Sequence, residues 1–493
     1  VSGSGTSMAT PVVAGVAALI KSRWPNLRAS QVGQIIFATT TDLGAPGVDA
    51  IYGRGLVNAQ RAMQPVGATG TRTSNGSWTF TSTGTLLATT GALGTRIATY
   101  AGSGALDPVV FDEFERDFTQ DVSGSVVTPR VVGFEGLAAF SDRSIQYAER
   151  TLDALGSRMM MSSEVRTDLR RADGFEWQSL SNYEHRFRGS QAMLGAAWVQ
   201  KFDGGAQFGL GTGGMNTFFG LQGMDTVSTQ FFSQGLQNPM LGMMPLAQTA
   251  GVGLPLRGEW SVKFGAASTQ GGNAVAEQLG VSGGMALRQT MALAEVNRTL
   301  DDGRTVMGLQ FASMTERESM LGGQGYGLMN LNGMQTATQA VTLQTASRLR
   351  DDLVLGAQFT TAFVPATGNS GASLVTGTND LRLSGWGIGL TRFNALAEGD
   401  RFALTASEPL AVRSGSMLFS VPTGSDINNI SYRQEVVGLA GSARERLYEA
   451  TWMLPFDKGN ASVMLSGMVR QNALGNADAP SELLGMLRLS QAF

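Results

Sequence analysis

Cysteine is absent from the 493 residues, histidine occurs once, and no run of apolar residues approaches the ~18 needed for a membrane-spanning helix. A chain without cysteine either never needed one or is an exported bacterial protein that avoids stray disulfides on its way out. The single histidine, His185, removes most routes to histidine-based catalysis within these residues. The lack of a long apolar run leaves a membrane β-barrel open, because barrel strands need only ~9–11 residues of alternating polarity. Charged residues are also scarce, at 15% against roughly 25% for an ordinary soluble domain, and the net charge is -3. With no basic surplus to neutralise phosphates, nucleic acid is not an expected partner. Proline is modest at 14, whereas glycine reaches 65 without a G-X-Y period, which fits turn-rich sheets better than collagen or disorder. No export signal follows Val1, and residues 1–5 already sit inside a motif, so the chain is expected to begin within a longer protein.

Three zones follow. Residues 1–66 read as helical: Ala9 to Lys21 is small and apolar, Gln31 to Ala38 forms a second helix with Ser30 as N-cap, and Leu56 to Met63 a third, stopped by Pro65. Residues 67–258 are mixed, with short β-type runs over Thr69–Thr90, an acidic-aromatic stretch at 111–118, a helix candidate over Ser144–Met160, and a Gly- and Met-rich part from 203 with no clear assignment. Residues 259–493 alternate. Trp260, Val262, Phe264 and Ala266 share one strand face, and Leu353, Leu355, Ala357 and Phe359 another. Tyr448, Ala450, Trp452, Leu454 and Phe456 repeat the period.

The connections of this third zone alternate as well. Asp301-Asp302-Gly303, Arg350-Asp351-Asp352, Glu398-Gly399-Asp400 and Asp457-Lys458-Gly459-Asn460 are short polar turns, with longer connections between them near 269–283, 316–338, 365–380 and 472–481. A count of about twelve strands from Trp260 to Phe493 puts the short turns at one end and the long loops at the other, as in an outer-membrane barrel.

The motif that carries chemistry is Gly5-Thr6-Ser7-Met8-Ala9-Thr10-Pro11. A serine hydroxyl is a poor nucleophile and needs help from its setting. Small residues place Ser7 at a helix N-terminus, where free N–H groups favour developing negative charge, and the Ser7 backbone N–H is a candidate oxyanion donor. An ordinary helix cap is the alternative for an isolated Thr-Ser. The whole heptapeptide, continued by Val12 to Leu19 and joined by the segment Tyr52 to Ala59, resembles the subtilase serine proteases over roughly residues 1–66. That resemblance implies the C-terminal part of an α/β subtilisin-like domain. It makes Ser7 the nucleophile that attacks a scissile peptide bond, assisted by a His and an Asp that precede it in chain order. None of the family's Asp, His or oxyanion-hole Asn motifs is present, and His185 lacks the family's Gly-Thr context, so the chain alone is expected to be proteolytically silent. No cofactor is expected; structural calcium is implied only by analogy with the family.

Weaker signals are read as structure. Gly209-Leu210-Gly211-Thr212-Gly213-Gly214 fits G-x-G-x-x-G without the strand-then-helix context of a dinucleotide site, and is expected to be a flexible turn. Asp112, Glu113, Glu115, Asp117 and Asp121 match no calcium loop and are expected to form a solvated face. The terminal Phe493 closes an alternating run and resembles the aromatic assembly signal of outer-membrane proteins. Residues 401–493, through Pro409 to Ser416, Phe419 to Pro422 and Tyr448 to Pro455, resemble the end of bacterial autotransporter serine proteases.

The expected architecture is therefore multidomain: a subtilase remnant at 1–66, a passenger remainder and linker at 67–258, and a C-terminal antiparallel β-barrel at 259–493. The expected function is peptide-bond hydrolysis through Ser7, anchored at the outer membrane or cell surface, with a protein or peptide substrate and the barrel assembly machinery as partners. Two other readings compete. One is a soluble secreted subtilase with a β-rich accessory domain, whose strands would bury one face and leave no apolar exterior. The other is a translocator that serves only as an anchor.

Overall fold

The computed structural model describes residues 5–81, 84–128, 143–152, 157–166, 191–202, 204–212, 218–221, 224, 236, 238–244, 247–272, 286–456 and 461–491. Its dominant element is one antiparallel sheet of fifteen strands, each bonded to its neighbours in chain order. They are β1 (Arg143–Leu152), β2 (Ser157–Arg166), β3 (Gln191–Lys201), β4 (Gln207–Thr212), β5 (Gln248–Pro255), β6 (Trp260–Gly272), β7 (Ala286–Leu300) and β8 (Thr305–Arg317). The rest are β9 (Gln335–Arg350), β10 (Leu353–Val364), β11 (Leu381–Phe393), β12 (Arg401–Ser414), β13 (Arg446–Phe456), β14 (Ala461–Gln471) and β15 (Glu482–Gln491). The edge strands β1 and β15 are not bonded to each other.

Ten strands begin at Trp260 or later, against the twelve or so expected, and five more lie upstream where a linker was expected. Residues 144–152 and 157–160, within the span expected as a helix, instead belong to β1 and β2; β2 pairs with β1 on one side and β3 on the other. Gly209 to Thr212 lie in β4, not in a turn. Phe493 lies outside the described residues.

The alternation has an unusual sense. On β6 the covered face carries Lys263, Ala267 and Thr269, while Trp260 and Phe264 are uncovered. On β8 the covered residues are Val306, Gly308, Gln310, Ala312, Met314 and Glu316, and Met307, Leu309 and Phe311 face outward. Leu343 on β9, Phe359 on β10 and Leu465 on β14 stand outward too, each close to half exposed. The covered side includes Glu295, Asn297, Gln344, Thr342 and Thr360, all buried. A soluble sheet buries its apolar face and wets its polar one; this wall does the reverse.

The segment between β4 and β5 packs onto the covered side. Phe218 and Phe219 lie in slots left by Gly251 and Gly265, where a Cβ would come within 2.7 and 2.5 Å of the rings. Lys263 Nζ donates to Phe218 O at 2.6 Å, and the Gly220 N–H donates to Glu295 Oε2 at 2.8 Å. Gln310 Nε2 and Asn297 Nδ2 also donate to Glu295, at 2.9 and 2.7 Å, so the buried carboxylate is met on both oxygens. Asn238 caps a single helical turn, Pro239–Gly242, and its amide also reaches Gln310.

Connections at one end of the sheet are short, as at 256–259, 301–304 and 351–352. In the second, Asp301, Asp302 and Gly303 all take positive φ, a conformation that Asp tolerates better than most residues. Connections at the other end are longer, and those at 318–334, 365–380 and 415–445 carry strands of their own. Ser416–Thr423 and Ser431–Gly438 form a hairpin whose first strand also pairs with Val375–Thr378.

A smaller unit, residues 5–128, is built onto this long-loop end. It opens with α1 (Thr6–Arg23) and α2 (Ala29–Thr39), followed by the short α3 (Ala59–Ala62) and α4 (Arg96–Ala101). The helix α2 starts earlier than expected: Gln31 Oε1 accepts from the backbone N–H of Arg28, the N-cap, so Ser30 is not the cap. The third helix is a single turn capped by Asn58, not a run from Leu56. Leu86–Ala88 pairs antiparallel with Gly323–Tyr326 of the β8–β9 loop and parallel with Val126–Val127. Val412 N donates to Ala92 O at 2.9 Å, and Tyr432 OH donates to Arg72 O and Thr73 O at 3.1 Å. Leu87, Leu93, Ile97 and Leu106 join Met320, Leu328, Phe419 and Leu439 in one core, so unit and loops fold together.

Within the unit, Arg116 ties the helices to the small strands. Its side chain is fully buried and pairs with Asp112 at 2.8 Å, while also donating to Ala62 O at 2.6 Å and Gln64 O at 2.8 Å. The guanidinium lies 4.7 Å from the Trp24 ring centroid and 5.2 Å from that of Phe118. The acidic stretch is therefore not simply a solvated face: Asp112 is buried because its charge is matched. Replacing Arg116 with Met strands the Asp112 carboxylate and is expected to cost about 3–5 kcal/mol of local stability. Hydrogen exchange in α1 and α2 should then approach unprotected rates while the sheet stays protected, and an added Asp112→Asn should restore part of the loss.

Candidate active site

The nucleophile candidate Ser7 occupies the first turn of α1. Gly5 is the N-cap with φ 144, a left-handed position that a side chain would strain, and its carbonyl accepts from Met8 N at 3.0 Å and Ala9 N at 3.2 Å. The chain thus turns abruptly into the helix just before Ser7. Thr10 Oγ1 donates to Thr6 O at 2.9 Å, and Pro11, inside the second turn, has no N–H to give to the Ser7 carbonyl four residues back. No acidic residue occupies the first turn, so the positive end of the peptide dipole is left uncompensated beside Ser7. Lys21 and Arg23 sit in the last turn, where cations suit the negative end. The N-terminal end of α1 carries Ser7 exposed, with no side-chain cap at Gly5.

Only Val16 and Ile20 of α1 are buried. They pack with Trp24, Leu27, Val32, Ile35, Ile36 and Ala62. Met8, Val12, Val13 and Leu19 stay exposed, as do Phe37 of α2 and Val48, Ile51, Tyr52 and Leu56 after it. The segment that resembles the family's closing helix returns beside α2 through the bridge Thr41–Leu56, and Asn58 Nδ2 donates to Thr41 Oγ1 at 3.0 Å. Backbone N–H groups of Tyr52 and Ile51 donate to Asp49 and hold its carboxyl below the usual aspartate value.

Among the described residues, no side chain forms a hydrogen bond or ion pair with Ser7. His185 lies outside the described residues. Two cavities, one lined by Ala92, Val412, Leu439 and Leu474 and one by Thr39, Arg61 and Pro65, do not include Ser7. The structure therefore places Ser7 exposed at the start of α1, where helix N–H groups are free, and the described residues bring no base to it. The acidic group at 112–121 does not fit a calcium ion: Asp112 is committed to Arg116, and no cluster of three or more metal-ligating side chains occurs among the described residues.

Residues 1–55 match the Subtilase family, Peptidase_S8. Over these residues the chain is similar to the subtilases. A thermostable alkaline protease of Halalkalibacterium halodurans is 59% identical over 64 residues, 13% of this chain and 17% of that protein. The Neisserial autotransporter lipoprotein NalP of Neisseria meningitidis serogroup B is 38% identical over 60 residues, 12% of this chain and 6% of that protein. The chain spans about a fifth or less of the length of the curated relatives it matches. Among solved structures, a loop L8 deletion mutant of OmpT, an outer membrane protein of Vibrio cholerae, has a TM-score of 0.37 at 12% identity, covering 70% of this chain and 88% of its own.

The subtilase-like segment is open to a clean chemical probe, because the chain has no cysteine. A Ser7→Cys variant should react completely with maleimide in the folded state, and an Ile20→Cys variant should react only on unfolding. The helix N-terminus should also lower the pKa of the thiol introduced at position 7 below the ordinary value of about 8.5, read as the midpoint of the labelling rate against pH. Protection of that thiol from maleimide would show that the folded chain covers the site.

Proposed function

We propose that these residues belong to a surface-anchored serine endopeptidase, with Ser7 as nucleophile and the fifteen-stranded sheet as its outer-membrane anchor. One observation carries the reading: the Ser7-bearing unit is built into the long-loop end of a sheet whose outward wall is apolar. An apolar wall with polar groups behind it suits lipid and not water. Long loops at the unit's end suit the cell surface, and the anchor would be inserted by the barrel assembly machinery.

In the reaction, Ser7 Oγ attacks the carbonyl carbon of a peptide bond in a protein or peptide substrate as its proton passes to a His. The His gives that proton to the departing amine as the C–N bond breaks, leaving an acyl-Ser7; water, losing a proton to the same His, then releases the acid and restores Ser7. The Ser7 N–H at the start of α1 donates to the oxyanion. The His and an orienting Asp must come from outside the described surroundings of Ser7, and the exposed Met8, Val12, Val13 and Leu19 offer an apolar face on which the chain carrying them would pack. Structural calcium, if the whole enzyme uses it, would sit elsewhere than the 112–121 stretch.

The bare Ser7 hydroxyl supports a second reading, an anchor without activity of its own. Two measurements separate the possibilities. The full chain, exported and recovered from outer membranes, should migrate differently on a gel before and after boiling; a soluble periplasmic product with no shift would sink the anchor. A fluorophosphonate should leave Ser7 unlabelled in this chain but label it in a longer protein that supplies the His and Asp. Equal proteolysis by that longer protein and its Ser7→Ala variant would leave only the anchor reading.

A further inference from the structure

Arginines are gathered on the outward face at the long-loop end of the sheet. On β8 the outward series runs Met307, Leu309, Phe311, Ser313, Thr315 and ends at Arg317. Directly opposite on β7 stands Arg288, also exposed. Like charges paired across strands repel, and neither has an acidic partner among the described residues. Further round the wall, the outward series of β11 runs Ile388, Trp386, Ser384 and ends at Arg382, which is exposed.

The densest group lies between β11 and β13. A bulge in the β11–β12 pairing turns both Glu408 and Arg413 outward: Glu408 opposes Trp386, and Arg413 Nε donates to Ser384 Oγ at 3.2 Å. Three guanidinium groups then converge on the one carboxylate. Arg413 lies 3.3 Å from Glu408, Arg446 3.4 Å and Arg444 3.5 Å. Glu408 is 4% exposed, whereas Arg444 and Arg446 are 64% and 50% exposed. One acid buried beneath three arginines leaves two uncompensated positive charges at the surface. It also fixes the guanidinium planes beside exposed Tyr448, on the same face of β13 as Arg446. Pre-positioned guanidinium forks match phosphate oxygens, and an aromatic beside them suits the boundary between acyl chains and headgroups.

Resting on the membrane reading above, the geometry points to a binding site for the phosphate of an anionic lipid headgroup in the outer leaflet, formed by Arg413, Arg444 and Arg446 around Glu408. Arg288, Arg317 and Arg382 extend the same positive collar along the wall. Charge complementarity selects a phosphorylated lipid over a zwitterionic one, because each basic side chain near an anionic surface adds to the attraction.

The test uses the full chain folded in detergent, with boiling-dependent migration confirmed first, and native mass spectrometry to count bound diphosphoryl lipid A against its dephosphorylated form. The wild-type chain should retain the phosphorylated lipid preferentially, and R413Q/R444Q/R446Q should weaken it at least ~tenfold. E408Q, which keeps all three arginines and an amide oxygen to hold them but removes the competing charge, should bind more tightly; this opposite shift cannot come from misfolding. The proposal is overturned if the triple variant folds and binds as wild type, or if the two lipids bind alike. It is also overturned if inorganic phosphate alone displaces the lipid at equal concentration, which would mark a free-phosphate site. A chain that never shows a boiling-dependent form would instead remove the membrane reading itself.

Discussion

Polarity is reversed across this sheet, and most of the structure follows from that constraint. Phe264, Phe311, Leu343 and Phe359 stand uncovered, while Glu295, Gln310 and Gln344 are shut away behind them. In water such a wall would forfeit the free energy of its apolar surface, about 25 cal/mol for each Å² left wet. The polar side then needs partners, and the segment between β4 and β5 supplies several: backbone atoms of Phe218 and Gly220 meet Lys263 and Glu295. Among the described residues some buried groups have no protein partner, both polar atoms of Gln344 included, so polar groups are interspersed with Val306, Ala312, Met314 and Phe218 on the covered side.

The unit bearing Ser7 is held by a different logic. Its own apolar cluster is small, so it borrows. Arg116 draws the backbone of Ala62 and Gln64 onto Asp112 and the rings of Trp24 and Phe118, and Leu86–Ala88 completes its sheet with strands from a β8–β9 loop. Ser7 thus sits on a helix braced at its C-terminal half through Val16 and Ile20 and exposed at its N-terminal half.

Much of this was legible in the sequence where side chains differ sharply from one position to the next. Trp260, Phe264 and the turn Asp301-Asp302-Gly303 disclosed strands and their short connections, and the heptapeptide around Ser7 disclosed the helix start. Alternation alone does not say which face is covered; only the packing of Phe218 and Phe219 against Gly251 and Gly265 fixes that. The five upstream strands were missed for a related reason. Gly209 and Gly211 on β4, Gly251 and Gly253 on β5, and the run Met159-Met160-Met161 on β2 carry no polar contrast between faces, so their period is invisible. Spacing along the chain makes Asp112 look like part of a solvated acidic face, because it cannot reveal that Arg116, Trp24 and Ala62 close over it. The exposed Ser7 position agrees with the motif, but its chemical partners are not written in the residues around it.

Strand parity has a consequence for how the wall could close. In an up-and-down meander an odd strand runs the same way as the first, so β1 and β15 point in the same direction. Any seam joining them would have to be parallel, with the slanted hydrogen bonds of that arrangement, while every other pair in the wall is antiparallel. Parity also means that the chain enters the sheet at one end and leaves it at the other. The polypeptide therefore changes sides by way of the wall itself, strand by strand, and the Ser7-bearing unit packs on the side where β1 begins.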